Sequence, residues 1–228
     1  LYQRRLPDTG TVLEYSFFVC FFPQLIAGPI VHARTLFPQI APGWFNRPLT
    51  WQLGVSLLTI GLVKKVLLAD PLAPGVAMLF DHSQADTALA APDVLLAGLS
   101  YGLQLYFDFS GYADMAIGLG LMFGIKLPAN FRSPYKSASI VEFWRRWHIT
   151  LSSFLRDYLY IPLGGNRHGQ LRANGNLLIT MLLGGLWHGA GWQFILWGGV
   201  HGALLVINHY WRHLSRWRLP RLLAVPLT

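Results

Sequence analysis

The sequence predicts an all-helical protein that crosses a membrane several times. Three observations carry that expectation. Only 12% of the 228 residues are charged, about half the ~25% of soluble domains, and 53% are hydrophobic before 23 glycines are added. Long stretches hold no Asp, Glu, Lys or Arg, the longest running over 173–211. The charge that remains is basic, +8 from 18 Lys+Arg against 10 Asp+Glu, and it is segregated along the chain. This composition excludes intrinsic disorder, which needs low hydrophobicity. A single cysteine, Cys20, excludes a disulfide scaffold and a Cys-based zinc module. Eighteen cations on so apolar a chain make a poor electrostatic footprint for nucleic acid, so the expected partner is the lipid bilayer and no nucleic acid.

Taken in order, the N-terminus misleads twice. Arg4 and Arg5 before an apolar run resemble a signal peptide. The chain begins at Leu1, however, and polar residues separate the arginines from the run. Leu6-Pro7-Asp8-Thr9-Gly10 spells a sortase-type sorting motif at the wrong end of a chain, and reads as coincidence. The missing Met suggests that 1–228 is a single membrane domain taken from inside a longer chain. A span needs about 20 apolar residues. Uncharged runs cover 15–33, broken by Pro23 and Pro29, and 48–63, continuing past Lys64 and Lys65 to Ala69. Lysines near a helix end snorkel to the interface, so the pair does not exclude a span. Residues 94–125 carry only Asp108 and Asp114, and are long enough to predict a tilted, broken or double segment. Residues 173–211 accommodate two helices, with a break at Gly189 and Gly191 or at Gly198 and Gly199. The total is about five or six membrane segments.

The segregated charge predicts topology. Residues 126–172 hold Lys126, Arg132, Lys136, Arg145, Arg146, Arg156, Arg167 and Arg172 against Glu142 and Asp157, whereas 66–125 hold six acids and no cation. The positive-inside rule puts 126–172 on the cytoplasmic side and the Asp70–Asp93 loop outside. Lys64 and Lys65 fit less well, because they approach the outer end of their segment.

Residues 139–160 read as an amphipathic interfacial helix. Ser139 and Glu142 form a capping-box pattern. Ile140, Phe143, Trp144, Trp147, Leu151, Phe154, Leu155, Tyr158 and Leu159 recur at helical spacing, and Glu142, Arg145, Arg146, Arg156 and Asp157 take the other face. Such a helix lies on a membrane surface or in a groove between spans. His148 falls at the edge of its apolar face. A lone histidine there is more often a packed core residue than a catalyst, unless it has a partner.

The candidate partner is His188, in Gly184-Gly185-Leu186-Trp187-His188-Gly189-Ala190-Gly191-Trp192. An ionisable residue inside a membrane segment is a functional candidate, and flanking glycines admit a close-approaching chain. The same glycines serve tight helix packing, with a neutral histidine bonding across the contact, and the two readings weigh evenly. His201, in Gly198-Gly199-Val200-His201-Gly202, is the runner-up. Acyl transfer to a hydroxyl needs a base near pH 7, which histidine supplies. No Gly-x-Ser-x-Gly elbow occurs. His209 and His213 stand four apart, but lack a third ligand, so no metal is expected. Asp at the bilayer centre costs about 2.5–3.5 kcal/mol, so Asp108 and Asp114 should face protein or a watery cavity. Asp114 reads as structural, and Asp108 stays open.

Five blocks in order carry a resemblance: 106–118 (Tyr106-Phe107-Asp108-Phe109-Ser110-Gly111-Tyr112-Ala113-Asp114 and on to Gly118), Asn130-Phe131-Arg132-Ser133-Pro134-Tyr135, 143–152 (Phe143-Trp144-Arg145-Arg146-Trp147-His148 and on to Ser152), 156–167 and Leu186-Trp187-His188-Gly189. Together with Phe22-Pro23-Gln24-Leu25-Ile26-Ala27-Gly28-Pro29-Ile30 and Gly61-Leu62-Val63-Lys64-Lys65-Val66, they resemble the membrane-bound O-acyltransferase family. Within it they are most similar to the subgroup of the alginate O-acetylase membrane subunit. The resemblance covers roughly residues 14–211. It implies a helical bundle with re-entrant and interfacial helices around a tunnel, set in a bacterial inner membrane. It implies transfer of an acyl group from a thioester to a hydroxyl. The family's central histidine falls on His188 and its second on His148. Trp187, Trp147, Ser152, Asp108 and Arg146 become candidates for lining the tunnel or contacting substrate.

The expected donor is acetyl-CoA or another acyl thioester, a substrate rather than a bound cofactor, arriving from the basic 126–172 side. Arg145, Arg146 and Lys136 attract its phosphates or, more plainly, those of lipid. The acceptor is a hydroxyl of an extracytoplasmic polysaccharide or of an acetyl-relay protein, and polysaccharide-export proteins are further expected partners. His188 acts as general base, and His148 orients the donor or polarises its carbonyl. The runner-up within the family is D-alanyl transfer to teichoic acid. A transporter with broken spans, or a non-catalytic export scaffold, are the readings from other classes.

Overall fold

The computed structural model describes residues 11–25, 27–40, 43–44, 49–84, 90–214 and 224–225. Arg4, Arg5 and the Leu6-to-Gly10 motif lie outside the described residues. Among the described residues the chain is all-helical, as expected, with no strand. It divides into two compact units, residues 1–129 and 130–228.

Among the described residues the first unit holds five α-helices: α1 (Val12–Cys20), α2 (Ala33–Leu36), α3 (Trp51–Leu62), α4 (Ala73–Gln84) and α5 (Ala91–Met122). Thr11 caps α1 with a complete capping box: its hydroxyl accepts from Glu14 N–H, and the Glu14 carboxylate accepts from Thr11 N–H. Pro23 and Pro38 each start a single tight turn and stop a longer helix from forming. Phe21, Leu36, Ile40, Ala116, Ile125 and Leu127 bury together, with Phe17, Phe18, Phe37 and Tyr112 around them.

Two glycine pairs set how α3 meets α5. A Cβ on Gly61 would stand 2.5 Å from Gly111 O, and one on Gly118 would stand 2.6 Å from Gly54 O. Both helices space their glycines by seven residues, two turns, and the pairs run in opposite order. The helices are therefore antiparallel with backbones in near contact, the small-residue packing of membrane bundles. Beyond α3, a wide π-helical run (Val63–Ala69) and a tight turn (Asp70–Leu72) lead into α4. The wide run lets consecutive lysines both reach α5: Lys64 pairs with Asp114 at 2.5 Å and Lys65 with Asp108 at 2.7 Å, and Lys65 also pairs with Asp70 of the following turn at 2.7 Å. Both α5 acids are thus paired with lysines, Asp114 mostly buried and Asp108 about half exposed.

The 94–125 stretch forms the bulk of one unbroken helix, not a broken or double segment. Its interior carries no Pro, and Gly111, Gly118 and Gly120 are buried packing positions rather than breaks. Among the described residues one helix, Trp51–Met78, is both long and apolar enough to cross a membrane, against the five or six expected. The other long helices have the length, but Asp108 and Asp114 in α5 and a set of buried polar residues in the second unit dilute their apolarity.

The second unit holds α6 (Ile140–Trp144), α7 (Ile149–Leu155), α8 (Gln170–His188) and α9 (Trp192–Leu214). A π-helical turn (Arg156–Tyr160) extends α7. Gly164 (φ 109°) and Gly165 (φ 51°) then turn the chain back toward α8 through a backbone region that favours glycine, and Asn176 Nδ2 donates to Gly165 O across that turn. α8 and α9 form a hairpin that breaks at Gly189–Gly191, the first of the two expected breaks. A Cβ on Gly185 would collide with Phe194 O, and one on Gly198 with Met181 O. Asn174, Asn176 and Thr180 are buried on α8. Leu196, Val200, Leu204 and Ile207 form an exposed apolar stripe on α9.

The stretch expected as one helix over 139–160 is divided. Ser139 Oγ accepts from Glu142 N–H and starts α6 as read from sequence. The reciprocal bond shifts by one residue, since Glu142 Oε2 accepts from Ala138 N–H. The helix stops after Trp144, and His148 takes a left-handed backbone, φ 42° and ψ 56°, before α7 begins. This is a costly conformation for a residue with a Cβ. Periodicity misses the break because the apolar spacing continues on either side of it.

Candidate active site

Asn130 explains the break. Its side chain is fully buried. Its Oδ1 accepts from Thr150 N–H at 3.2 Å and from Thr150 Oγ1–H at 3.0 Å. It therefore does for the second residue of α7 what an N-cap side chain does. The strand of chain around it holds the turn from outside: Ile149 N–H donates to Asn130 O, and Arg132 N–H to Arg146 O. His148, freed from capping its own helix, turns its imidazole to the same Oδ1, with Nδ1 at 3.1 Å.

That bond assigns a tautomer. Thr150 N–H can only donate, so the Asn130 atom facing it is oxygen, and His148 Nδ1 must carry the proton. Nε2 is left as the acceptor nitrogen. Burial first, and the charge of nearby His188 second, lower the His148 pKa to about 4. His148 is consequently neutral at physiological pH. A neutral ring in this tautomer presents its Nε2 lone pair as a hydrogen-bond acceptor.

His188 ends α8 and caps the hairpin, where it is exposed rather than enclosed. Trp187 beside it is 62% exposed. The His188 ring meets Trp187 at 5.0 Å and Trp197 at 5.4 Å, both edge-on. A continuous aromatic path leads from Trp197 to Trp144 (5.7 Å), Phe143 (5.8 Å), Trp147 (5.6 Å) and Phe131 (5.1 Å), the last stacked with His148 at 6.5 Å. The two sequence-predicted histidines thus belong to one ring cluster, and the charge of His188 acts on His148.

The remaining candidates fall in three groups. Trp147 is buried in the cluster, and Ser152 Oγ donates to Trp147 O at the limit of hydrogen bonding, 3.5 Å. Arg146 is committed to Glu142 Oε1 (2.6 Å) and Arg132 O (3.3 Å), so its charge is largely answered within the unit. Asp108 belongs to the 1–129 unit, where it pairs with Lys65. Sequence reasoning missed Asn130, Trp144 and Trp197. Asn130 heads one of the quoted blocks, but a buried asparagine gives no periodic signal.

The chain belongs to the membrane-bound O-acyltransferase family, whose model matches residues 3–222. It is 51% identical to the peptidoglycan O-acetyltransferase of Helicobacter pylori, over 95% of this chain and 41% of that protein. It is 49% identical to the probable alginate O-acetylase AlgI of Azotobacter vinelandii, over 91% of this chain and 41% of that protein. The teichoic acid D-alanyltransferase of Bacillus subtilis is 28% identical, over 93% of this chain and 57% of that protein. The chain therefore spans less than half the length of these acetyltransferase relatives.

Proposed function

We propose that this protein is a bacterial inner-membrane O-acetyltransferase, moving an acetyl group from a cytoplasmic thioester such as acetyl-CoA to a hydroxyl of an extracytoplasmic polysaccharide or relay protein. The observation that carries the reading is the pairing of His148 and His188 in one ring cluster, with the first held neutral by Asn130. His188 takes the proton from the acceptor hydroxyl as its oxygen attacks the thioester carbonyl. A carbon–oxygen bond forms, the carbon–sulfur bond breaks, and the proton passes from the His188 imidazolium to the departing thiolate. His148 offers Nε2 as an acceptor that steadies that imidazolium, and the two rings are not both charged at once. Residues 126–172 face the cytoplasm in this reading, and the family's tunnel carries the donor to His188.

Acetyl is favoured over D-alanyl by identity, near 50% to the acetyltransferase relatives and 28% to the alanyltransferase. Labelled acetyl followed from thioester to product in membranes tests the reading. His188→Ala should lower transfer by about 10²–10⁴-fold while the protein still inserts. Normal transfer by that variant sinks the assignment. Full activity of His148→Ala makes His148 structural. A label that transfers only as D-alanyl selects the second reading.

A further inference from the structure

α6 and α9 bring together two polar atoms that the proposed mechanism does not use. Trp144 Nε1 and His201 Nδ1 are both buried and have no hydrogen-bond partner among the described residues. Their rings lie 5.4 Å apart and nearly perpendicular, at 84°. Both rings pack on Trp197, at 5.7 and 4.8 Å, the same ring that His188 meets edge-on. Phe143 stacks on the His201 ring at 6.4 Å. The rings packed around the pair are thus aromatic, and a buried polar group left unanswered is costly enough to call for a role.

The chemistry of the two atoms narrows that role. Indole Nε1–H only donates, and a neutral imidazole donates from Nδ1 in one of its two tautomers. An oxygen accepting from both atoms would satisfy the pair. We propose that Trp144 Nε1–H and His201 Nδ1–H together donate to the carbonyl oxygen of the acyl thioester, as the two donors of an oxyanion site beside His188. This rests on the acyltransfer reading above. A carbonyl oxygen has two lone pairs and gains negative charge as the hydroxyl attacks. Donors fixed in an aromatic, poorly hydrated setting stabilise that charge more than they hold the ground state. The effect therefore falls on kcat and not on donor binding.

The test uses the protein in native membranes. Trp144→Phe keeps the ring and removes only the donor, His201→Ala removes the second donor, and His201→Asn restores an amide N–H. Trp144→Phe and His201→Ala should each lower kcat by about 10²–10³-fold with the KM for acetyl thioester nearly unchanged, and His201→Asn should recover part of the loss. Infrared spectra with a ¹³C-labelled acetyl carbonyl give a readout independent of turnover. The bound carbonyl band should shift to lower frequency in wild type and in His188→Ala, and lose that shift in Trp144→Phe and His201→Ala. A band that stays shifted in those two variants, or a wild-type kcat in Trp144→Phe, overturns the proposal. A fully active His188→Ala instead overturns the acyltransfer mechanism, and the carbonyl band still reports on the donor pair.

Discussion

Asn130 does three jobs with one oxygen: it caps α7, fixes the Thr150 hydroxyl and sets the His148 tautomer. Asn130→Ala should cost about 1–2 kcal/mol as a lost cap, but it should also free the His148 ring. Acetyl transfer should therefore fall further than thermal stability in detergent does, and an equal fall in both would reduce Asn130 to a cap. His148 brings a pH signature. Its folded pKa, about 4, lies below its ordinary 6.5, so the unfolded chain binds the proton first as pH drops. The stability contribution is complete above about pH 6.5 and declines toward pH 4. Melting scans from pH 8 to 4.5 should show that decline, and His148→Gln should flatten it. Both histidines were legible in the sequence, from motif and setting. Their chemistry was not, because a tautomer depends on a residue 18 positions upstream that approaches only after the chain has folded.

The glycines that brought α3 and α5 together make a prediction that separates contact from propensity. Gly61→Ala places a methyl carbon against the Gly111 carbonyl and should force the helices apart, lowering the melting temperature of the purified protein. Gly98→Ala, in α5 with open space around it, should be neutral or stabilising by up to about 0.5–1 kcal/mol. Equal effects at the two sites would remove close packing as the reason for the glycines. Hydropathy alone could place α5 but not its continuity: two acids in an apolar run look like an interruption until Lys64 and Lys65 are seen to answer them. The reverse error occurred over 139–160, where unbroken periodicity concealed the left-handed turn at His148.

At the scale of the whole molecule, charge segregation gives sidedness a direct test. In a Cys20→Ser background, Asp93→Cys should react with a membrane-impermeant maleimide in intact cells, and Arg167→Cys only after the inner membrane is permeabilised. The opposite pattern inverts the orientation. The membrane character of the chain and its family were readable from composition and five motif blocks, while the number of spans was not, because helices that bury Asn, Asp and His against protein escape a hydropathy threshold. That same dilution bears on biogenesis. α8 carries Arg172, Asn174, Asn176 and Thr180, and neither it nor α9 is apolar enough to cross a membrane by that measure. Their contact runs along Leu178, Met181 and Gly185 of α8, while Asn176 turns to Gly165 O instead, and the apolar stripe of α9 stays outward. Pairing of the two helices during biogenesis therefore also sets the place of His188, at the tip of their hairpin.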